Sequence, residues 1–333
     1  MALRHYVMVR VSYGIVMMLI LLNLVFFVIR ILPGNAAEVL APPGATPAQI
    51  AQIAHQLGLD RPLWDQYTTY FEQLFTGNLG LSFITGLPVS YLLSQALPIT
   101  LQLAIGSMIV AAIIGVGGGI LSAYKGGAVD NTIRVWNLLW YATPIFWLGP
   151  MLQLLLGIYI PILPVAGAVS AKYYLPHITG MPIVDSILAG NIPAFGDAVL
   201  HMILPTITLG LLISGSISRV SRSEMFEALR KDHMALARAK GLSLFNYLVN
   251  HGLRSVALPI VTIIGLEFAS ILGGAVVTEA VFNLPGMGTL LVNALNARDY
   301  PTMQGALALS VLWVGLMTIV IDLFYIVLDP RLR

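Results

Sequence analysis

Two stretches of this chain carry side chains whose type and spacing could do more than pack. The first is Asp-His-Met-Ala-Leu-Ala-Arg-Ala-Lys-Gly-Leu-Ser, residues 232–243, which sets Asp232, Arg238 and Lys240 ahead of Gly241. Basic side chains can pair with a partner's carboxylates, and a glycine between two helical stretches makes an elbow. The second is Glu267, alone in the apolar run Ile263-Ile264-Gly265-Leu266-Glu267-Phe268. A carboxylate at the centre of a membrane helix costs about 2.5–3.5 kcal/mol on insertion scales. It must therefore face a pathway or a subunit boundary, or satisfy itself by an internal hydrogen bond. No base stands beside it in sequence, so compensation must come from another span, another subunit or solvent.

Catalytic constellations are missing. A phosphate-cradling loop of the Walker type needs a Gly-Lys pair, and the lysines at 125, 172, 231 and 240 follow Tyr, Ala, Arg and Ala. No His-Glu-x-x-His and no Gly-x-Ser-x-Gly occurs. The absence of cysteine removes disulfides, thiol catalysis and Cys-based metal sites. The six histidines are scattered, and His201 reads as a hydrogen-bonded residue near a span end. We expect no catalytic set, no cofactor and no metal site.

The elements that must position these residues follow from composition. Of 333 residues, 58% are hydrophobic and only 10% charged, too few to coat a soluble globule. A net charge of +2 argues against nucleic acid as a partner. The lipid bilayer is the expected surrounding. A core of ~30 Å needs about 20 apolar residues per helix, and six stretches qualify: 11–32, 98–124, 132–160, 197–218, 256–280 and 303–328. The first is longer than a signal-peptide core of about 7–15 residues and reads as a retained anchor. One set of loops holds 13 of the 17 lysines and arginines, the other Arg30, Arg61, Lys172 and Arg298. By the positive-inside rule both termini then lie in the cytoplasm. Gly115 and Gly119 in the second span, and Gly273-Gly274 in the fifth, suit close helix packing. Asp322, late in the sixth span, reads as interfacial and structural.

The loops are unequal. Outside, Thr46-Pro47-Ala48-Gln49 is a capping box with proline at the first helical position, opening a helix closed at Gly58. A second amphipathic helix follows Asp60-Arg61-Pro62 and ends at Gly77. These two helices either lie on the membrane or bundle, or touch an external partner. Inside, 219–255 is the longest segment and holds seven basic residues. Over Ser223–Asn250 it reads as helix, break at Gly241-Leu242-Ser243, helix. An insert at 168–196, with Lys172, Tyr173 and Tyr174, fits no pattern. The chain divides into 1–97, the first span with its external loop, and 98–333, a five-helix core with the coupling loop at about 219–255.

Four blocks together resemble the permease subunits of the dipeptide/oligopeptide/nickel class of ABC importers. They are Leu32-Pro33-Gly34-Asn35 with Leu57–Pro62 and Gly77–Ser82; Pro144-x-Phe146-Trp147-Leu148 with Leu163-Pro164-x-x-Gly167; Ala237–Ser243 with His251-x-Leu253-Arg254 and Leu258-Pro259; and Glu279-x-Val281-Phe282-x-Leu284-Pro285-Gly286-x-Gly288 with Asp299-Tyr300-Pro301, Asp322-Leu323-x-Tyr325 and Asp329-Pro330-Arg331.

The resemblance implies an all-α polytopic membrane protein with six transmembrane helices, N-in and C-in, of the type I importer fold. It implies one half of a pore for di- or oligopeptides in a prokaryotic inner or plasma membrane. Oligosaccharides and nickel are the alternative cargoes. ATP hydrolysis is expected on separate subunits, and the implied partners are a second homologous permease, two ATP-binding subunits and an extracellular substrate-binding protein. The third block resembles the family's ATPase-gripping loop. Its central glycine falls on Gly241 and its leading glutamate on Ala235, which moves the weight onto Asp232, Arg238 and Lys240, with Ala237 between them. Glu267 departs from the family pattern, so its candidate pathway role rests on its own chemistry. A self-sufficient secondary transporter using Glu267 is the rival, opposed by the lack of an inverted repeat and by the dominant 219–255 loop.

Overall fold

A computed structural model describes residues 2–31 and 36–328; the side chains of 2–4, 6, 7, 36, 272–274 and 325–328 are outside that description. The motif residues Leu32–Asn35 and Asp329–Arg331, and the packing around Gly273-Gly274, therefore lie outside the described residues. Among the described residues there is no β-strand. The helices in chain order are α1 (Ala2–Ile31), α2 (Ala36–Leu40), α3 (Pro47–Gln56), α4 (Leu63–Thr76), α5 (Val89–Lys125), α6 (Gly127–Ala142), α7 (Ile145–Gln153), α8 (Pro182–Leu188), α9 (Ile192–Ala228), α10 (Asp232–Ala239), α11 (Ala257–Val281), α12 (Met287–Asn296) and α13 (Tyr300–Leu328). Wider π-helical turns follow α7 (Leu154–Tyr159) and precede α11 (Asn246–Leu253).

Four helices among the described residues are long and apolar enough to cross a membrane: Met8–Ile31, Val89–Lys125, Ile192–Ala228 and Tyr300–Phe324. The number becomes six if each of two bent pairs is one span. The stretch expected as a third straight span is one of them. It breaks between α6 and α7 with a bend of 99°. The cause is local. Pro144 has no N–H to give and pushes the residue before it out of the helical region, and Thr143 is extended at φ −79°, ψ 126°. The second bent pair turns by 77° where the π-helical turn meets α11. The spans expected at 98–124 and 197–218 are each longer than hydropathy indicated, at 37 residues. At 1.5 Å per residue such a helix is about 55 Å long and overshoots a ~30 Å apolar layer at its ends.

The core forms where α5 lies against α9, with Leu103, Ala104, Met108 and Ala111 meeting Leu204, Leu209 and Ile217. Gly115 and Gly119 make this approach possible. A Cβ on either would stand 2.9 Å from a backbone oxygen of α9, that of Ser214 or Ser218. In lipid such backbone proximity, rather than water exclusion, holds helices together. The last helix closes the chain on the first: α13 packs along α1, and Arg10 pairs with Asp322 at 3.6 Å.

The lobe formed by α3 and α4 settles against α1. Thr46 and Gln49 form the expected capping box of α3, and α3 buries none of its residues. By contrast α4 is anchored: Tyr67 Oη donates to Asn23 Oδ1 at 2.7 Å, and the rings of Tyr67 and Tyr70 pack edge-on and tilted against the buried Phe26. Burial pushes the Tyr70 hydroxyl up to about 12. The insert at 168–196 is also tied down. Ser170 donates to Asp197 through both N–H and Oγ at 2.7 Å, Lys172 stands 3.9 Å from the same carboxylate, and His201 Nδ1 lies 2.8 Å from Asp197 O. Tyr174 is left 93% exposed.

Asp185 in α8 is buried and accepts from Thr179 N–H and Oγ1 at 2.7 Å and from Gly180 N–H at 3.0 Å. Burial alone would raise its pKa, but the hydrogen bonds outweigh it and hold the carboxyl below its ordinary value. A depressed carboxylate stabilises the fold above its unfolded pKa of about 4 and loses that contribution as pH falls through the lower folded value. Asp185→Asn should therefore cost about 1–3 kcal/mol locally at pH 7. Faster amide exchange over 177–190, with the wild type protected down to below pH 4, is the expected result.

Candidate functional site

The segment singled out as an elbow is one, though its parts differ from the expected helix–break–helix. The stretch after Ser223 is the end of α9, which runs unbroken to Ala228. A separate short helix, α10, then spans Asp232–Ala239. The break falls at the expected place. Gly241 sits at φ +66°, a left-handed conformation that side chains with a Cβ resist, and nothing stands within 4 Å of a Cβ built there. The need for glycine is thus conformational and not a matter of space.

Met234, Ala237 and Tyr247 bury one face of α10 against the π-helical turn, with Leu242 and Leu248 beside them. Ala237 thus supports the elbow from inside. Asp232, Ala235, Arg238 and Lys240 are all on the exposed face, and Leu236, Leu244 and Phe245 are exposed beside them at 57%, 52% and 67%. Basic groups ringing an uncovered apolar tip are the composition of a contact surface.

Beneath the elbow lies an ion pair that sequence reasoning passed over. Arg222, on α9, grips Asp130, on α6, with two bonds: Nε to Oδ1 at 2.5 Å and Nη2 to Oδ2 at 2.7 Å. Ser122 of α5 also donates to Asp130, and Arg134 stands 3.5 Å away. Three long helices are thereby fastened at the end from which the elbow emerges. The one local signal was a carboxylate in the first turn of α6, where a helix favours negative charge; its partner is 92 residues distant.

Two further carboxylates explain why the fourth block has its composition. Glu279 is fully buried at the end of α11. Its Oε1 accepts from Thr100 Oγ1 at 2.6 Å, and its Oε2 accepts the N–H groups of Gly288 and Thr289 at 2.8 and 3.1 Å. Thr100 Oγ1 accepts in turn from Met287 N–H at 2.8 Å. Glu279 thus satisfies the amides that open α12, which the turn Leu284-Pro285-Gly286 delivers to it. Asp299 does the same for α13 and for the loop at Ser82 and Phe83. It accepts from Thr302 Oγ1 at 2.8 Å, from Ser82 Oγ at 2.5 Å and from Phe83 N–H at 3.0 Å. The first and fourth blocks therefore meet at Asp299, while Gly167 of the second block donates to Phe282 O at 2.9 Å.

Glu267, near the middle of α11, finds a partner on another helix. Ser216 Oγ of α9 stands 2.5 Å from its Oε1 and 2.8 Å from Ile213 O, so one hydroxyl proton is shared between the two acceptors. The carboxylate remains half-buried, with a single hydrogen bond to a neutral donor. It is not sealed within the bundle, and no ion pair among the described residues includes it.

These features agree with the comparisons. Residues 115–333 match the family described as binding-protein-dependent transport system inner membrane component, and residues 3–104 match the corresponding N-terminal family. The chain belongs to this family. It is accordingly a multi-pass transport component of an inner membrane, a permease subunit of an ABC importer rather than an enzyme; ATP hydrolysis belongs to a separate subunit, and a binding protein serves the same system. It is 38% identical over 315 residues to the dipeptide transport system permease protein DppB of Escherichia coli, covering 93% of each chain. It shares 38% identity over 312 residues with the di/tripeptide transport system permease protein DppB of Pseudomonas aeruginosa, again 93% of each. It is 38% identical to the probable D,D-dipeptide transport system permease protein DdpB of Escherichia coli over 310 residues, 92% of this chain and 91% of that one.

Glu279→Gln keeps one acceptor oxygen and puts a donor in place of the other, so either the Thr100 hydroxyl or the two backbone N–H groups lose their acceptor. Leaving buried N–H groups unpaired costs about 1–3 kcal/mol. The variant should unfold in detergent at a measurably lower temperature, and Glu279→Asp, too short to span both partners, should not restore it.

Proposed function

We propose that this chain forms one half of the translocation pathway for di- and oligopeptides, beside a second homologous permease, above two ATP-binding subunits and beneath an extracellular substrate-binding protein. The observation that carries the reading is the elbow: an exposed apolar tip with Asp232, Ala235, Arg238 and Lys240 around it, hinged at Gly241 and rooted in the clamped ends of α5, α6 and α9. A rigid knob on such a root can pass a push from a partner into the long helices. The elbow would seat in a cleft of one ATPase subunit, with Arg238 and Lys240 meeting carboxylates there. The peptide names of the relatives favour peptides over oligosaccharides or nickel. The charge asymmetry of the loops supports cytoplasmic termini, with the elbow inside.

Gly241→Pro cannot keep a φ of +66°. That variant, and the pair Arg238→Glu with Lys240→Glu, should lower cargo-stimulated ATP hydrolysis by about tenfold or more, as expected when charge-assisted contacts are lost at an interface. Both should leave the permease in the membrane. Normal coupling in both discards the docking. Uptake that survives ATP depletion with ion gradients clamped would instead support an ion-driven carrier.

Glu267 supports a pathway role for a second reason beyond its depth: a half-buried carboxylate held by one serine retains acceptor capacity for a positive group, such as a peptide amino terminus. Glu267→Gln is nearly isosteric and keeps the bond to Ser216 available. It should preserve assembly and change uptake rate or cargo preference between free and amino-blocked dipeptides. Identical transport of both by the variant and the wild type rejects the role.

A further inference from the structure

The outer end of α1 holds a charge that no ion pair among the described residues neutralises. Arg30 lies in the last turn of α1 and is half-buried between the rings of Phe26 and Tyr300, at 5.0 and 5.6 Å. Its Nε donates to Gln66 Oε1 at 2.8 Å, and its Nη1 is buried with no acceptor. Gln66 is itself fixed, since its amide donates to Leu59 O and Arg61 O at 3.2 and 2.8 Å. The guanidinium is therefore held in place by a neutral group. No ion pair among the described residues includes Arg30 or Arg61.

Both arginines line one cavity of about 550 Å³ between α4, the start of α13 and the loop that Asp299 secures. Its wall also holds Gln304, 9% exposed, whose Nε2 is buried without an acceptor. No aspartate or glutamate lines it. The neighbouring cavity, of about 380 Å³, shares Arg30 and Arg61 and adds Asp60, which is already engaged with His55 at 2.7 Å. Two positive groups and an orphaned amide donor, with the nearby Asp60 already engaged by His55, form a site that is short of acceptors. A planar guanidinium held at fixed orientation matches the oxygens of a phosphate.

We propose that this cavity binds a phosphate-bearing anion, seated on Arg30, Arg61 and Gln304. Depth narrows its source. Arg30 is the penultimate residue of the span Met8–Ile31, so the cavity opens at the level where a bilayer presents its head-group phosphates. A phospholipid there would tie α1, α4 and α13 together at the outer membrane surface. A free phosphate ester offers the same chemistry.

The test uses the importer purified with all its subunits from membranes containing phosphatidylglycerol, by native mass spectrometry. Wild type should retain one phospholipid that Arg61→Gln and Gln304→Leu retain at about tenfold lower occupancy, the loss of one charge-assisted or buried hydrogen bond. Neither substitution touches the Arg30–Gln66 bond, so neither depends on Arg30 being replaceable. The delipidated complex is then titrated calorimetrically with inorganic phosphate. Binding that both variants weaken, without a retained lipid, keeps the site and assigns it to a soluble ester. Equal lipid occupancy in variants and wild type with no phosphate binding, or displacement of the bound species by a dipeptide alone, overturns the proposal.

Discussion

A helix that breaks inside an apolar protein leaves backbone N–H groups that no water can satisfy, and this chain breaks its helices often. Carboxylates answer the need. Glu279 takes the amides that open α12, Asp299 those of the loop at Phe83 and of α13, Asp185 those of the turn before α8, and Asp197 that of Ser170. Each is an acidic side chain nearly removed from solvent, made tolerable because it accepts several bonds at once. The irregular backbone that shapes a path through a membrane protein persists because of these groups. A chain with only 15 acidic residues commits four of them to this task.

The positive groups divide differently. Arg222 is bound to Asp130 and fastens the helices behind the elbow, whereas Arg238 and Lys240 are exposed at its tip. The glycine between α10 and the π-helical turn lets the exposed tip project without dragging the buried pair Met234 and Tyr247 out of contact.

Much of this was legible in residue order. The apolar runs marked the long helices because side-chain transfer dominates there, and the capping box of α3 and the break at Gly241 are set by local backbone chemistry. The bend after α6 was not legible from Pro144 alone, since Pro98, Pro150 and Pro205 sit inside helices that continue. What differs is the residue ahead of the proline, since Thr143 is extended at ψ 126°. Partners across the chain were also hidden: Ser216 is 51 residues from Glu267 and Arg222 is 92 from Asp130. The motif blocks carried Glu279 and Asp299 in plain view, but their task as acceptors for backbone donors emerges only once the turns are folded.

The contact between α1 and α13 has a consequence for biosynthesis. In a chain made from its N-terminus, α1 and the lobe it carries enter the membrane well before α13 exists. Until then Gly14 and Met18 lack the surface they later meet at Ile319 and Gly315, and Ser82 lacks Asp299. The first helix must wait in lipid with an unmatched face; the last one to be made latches it at Arg10 through Asp322, and Asp299, just ahead of that last helix, fastens the loop at Ser82 and Phe83. A chain stopped before residue 300 would be inserted but unlatched, and so open to membrane quality control.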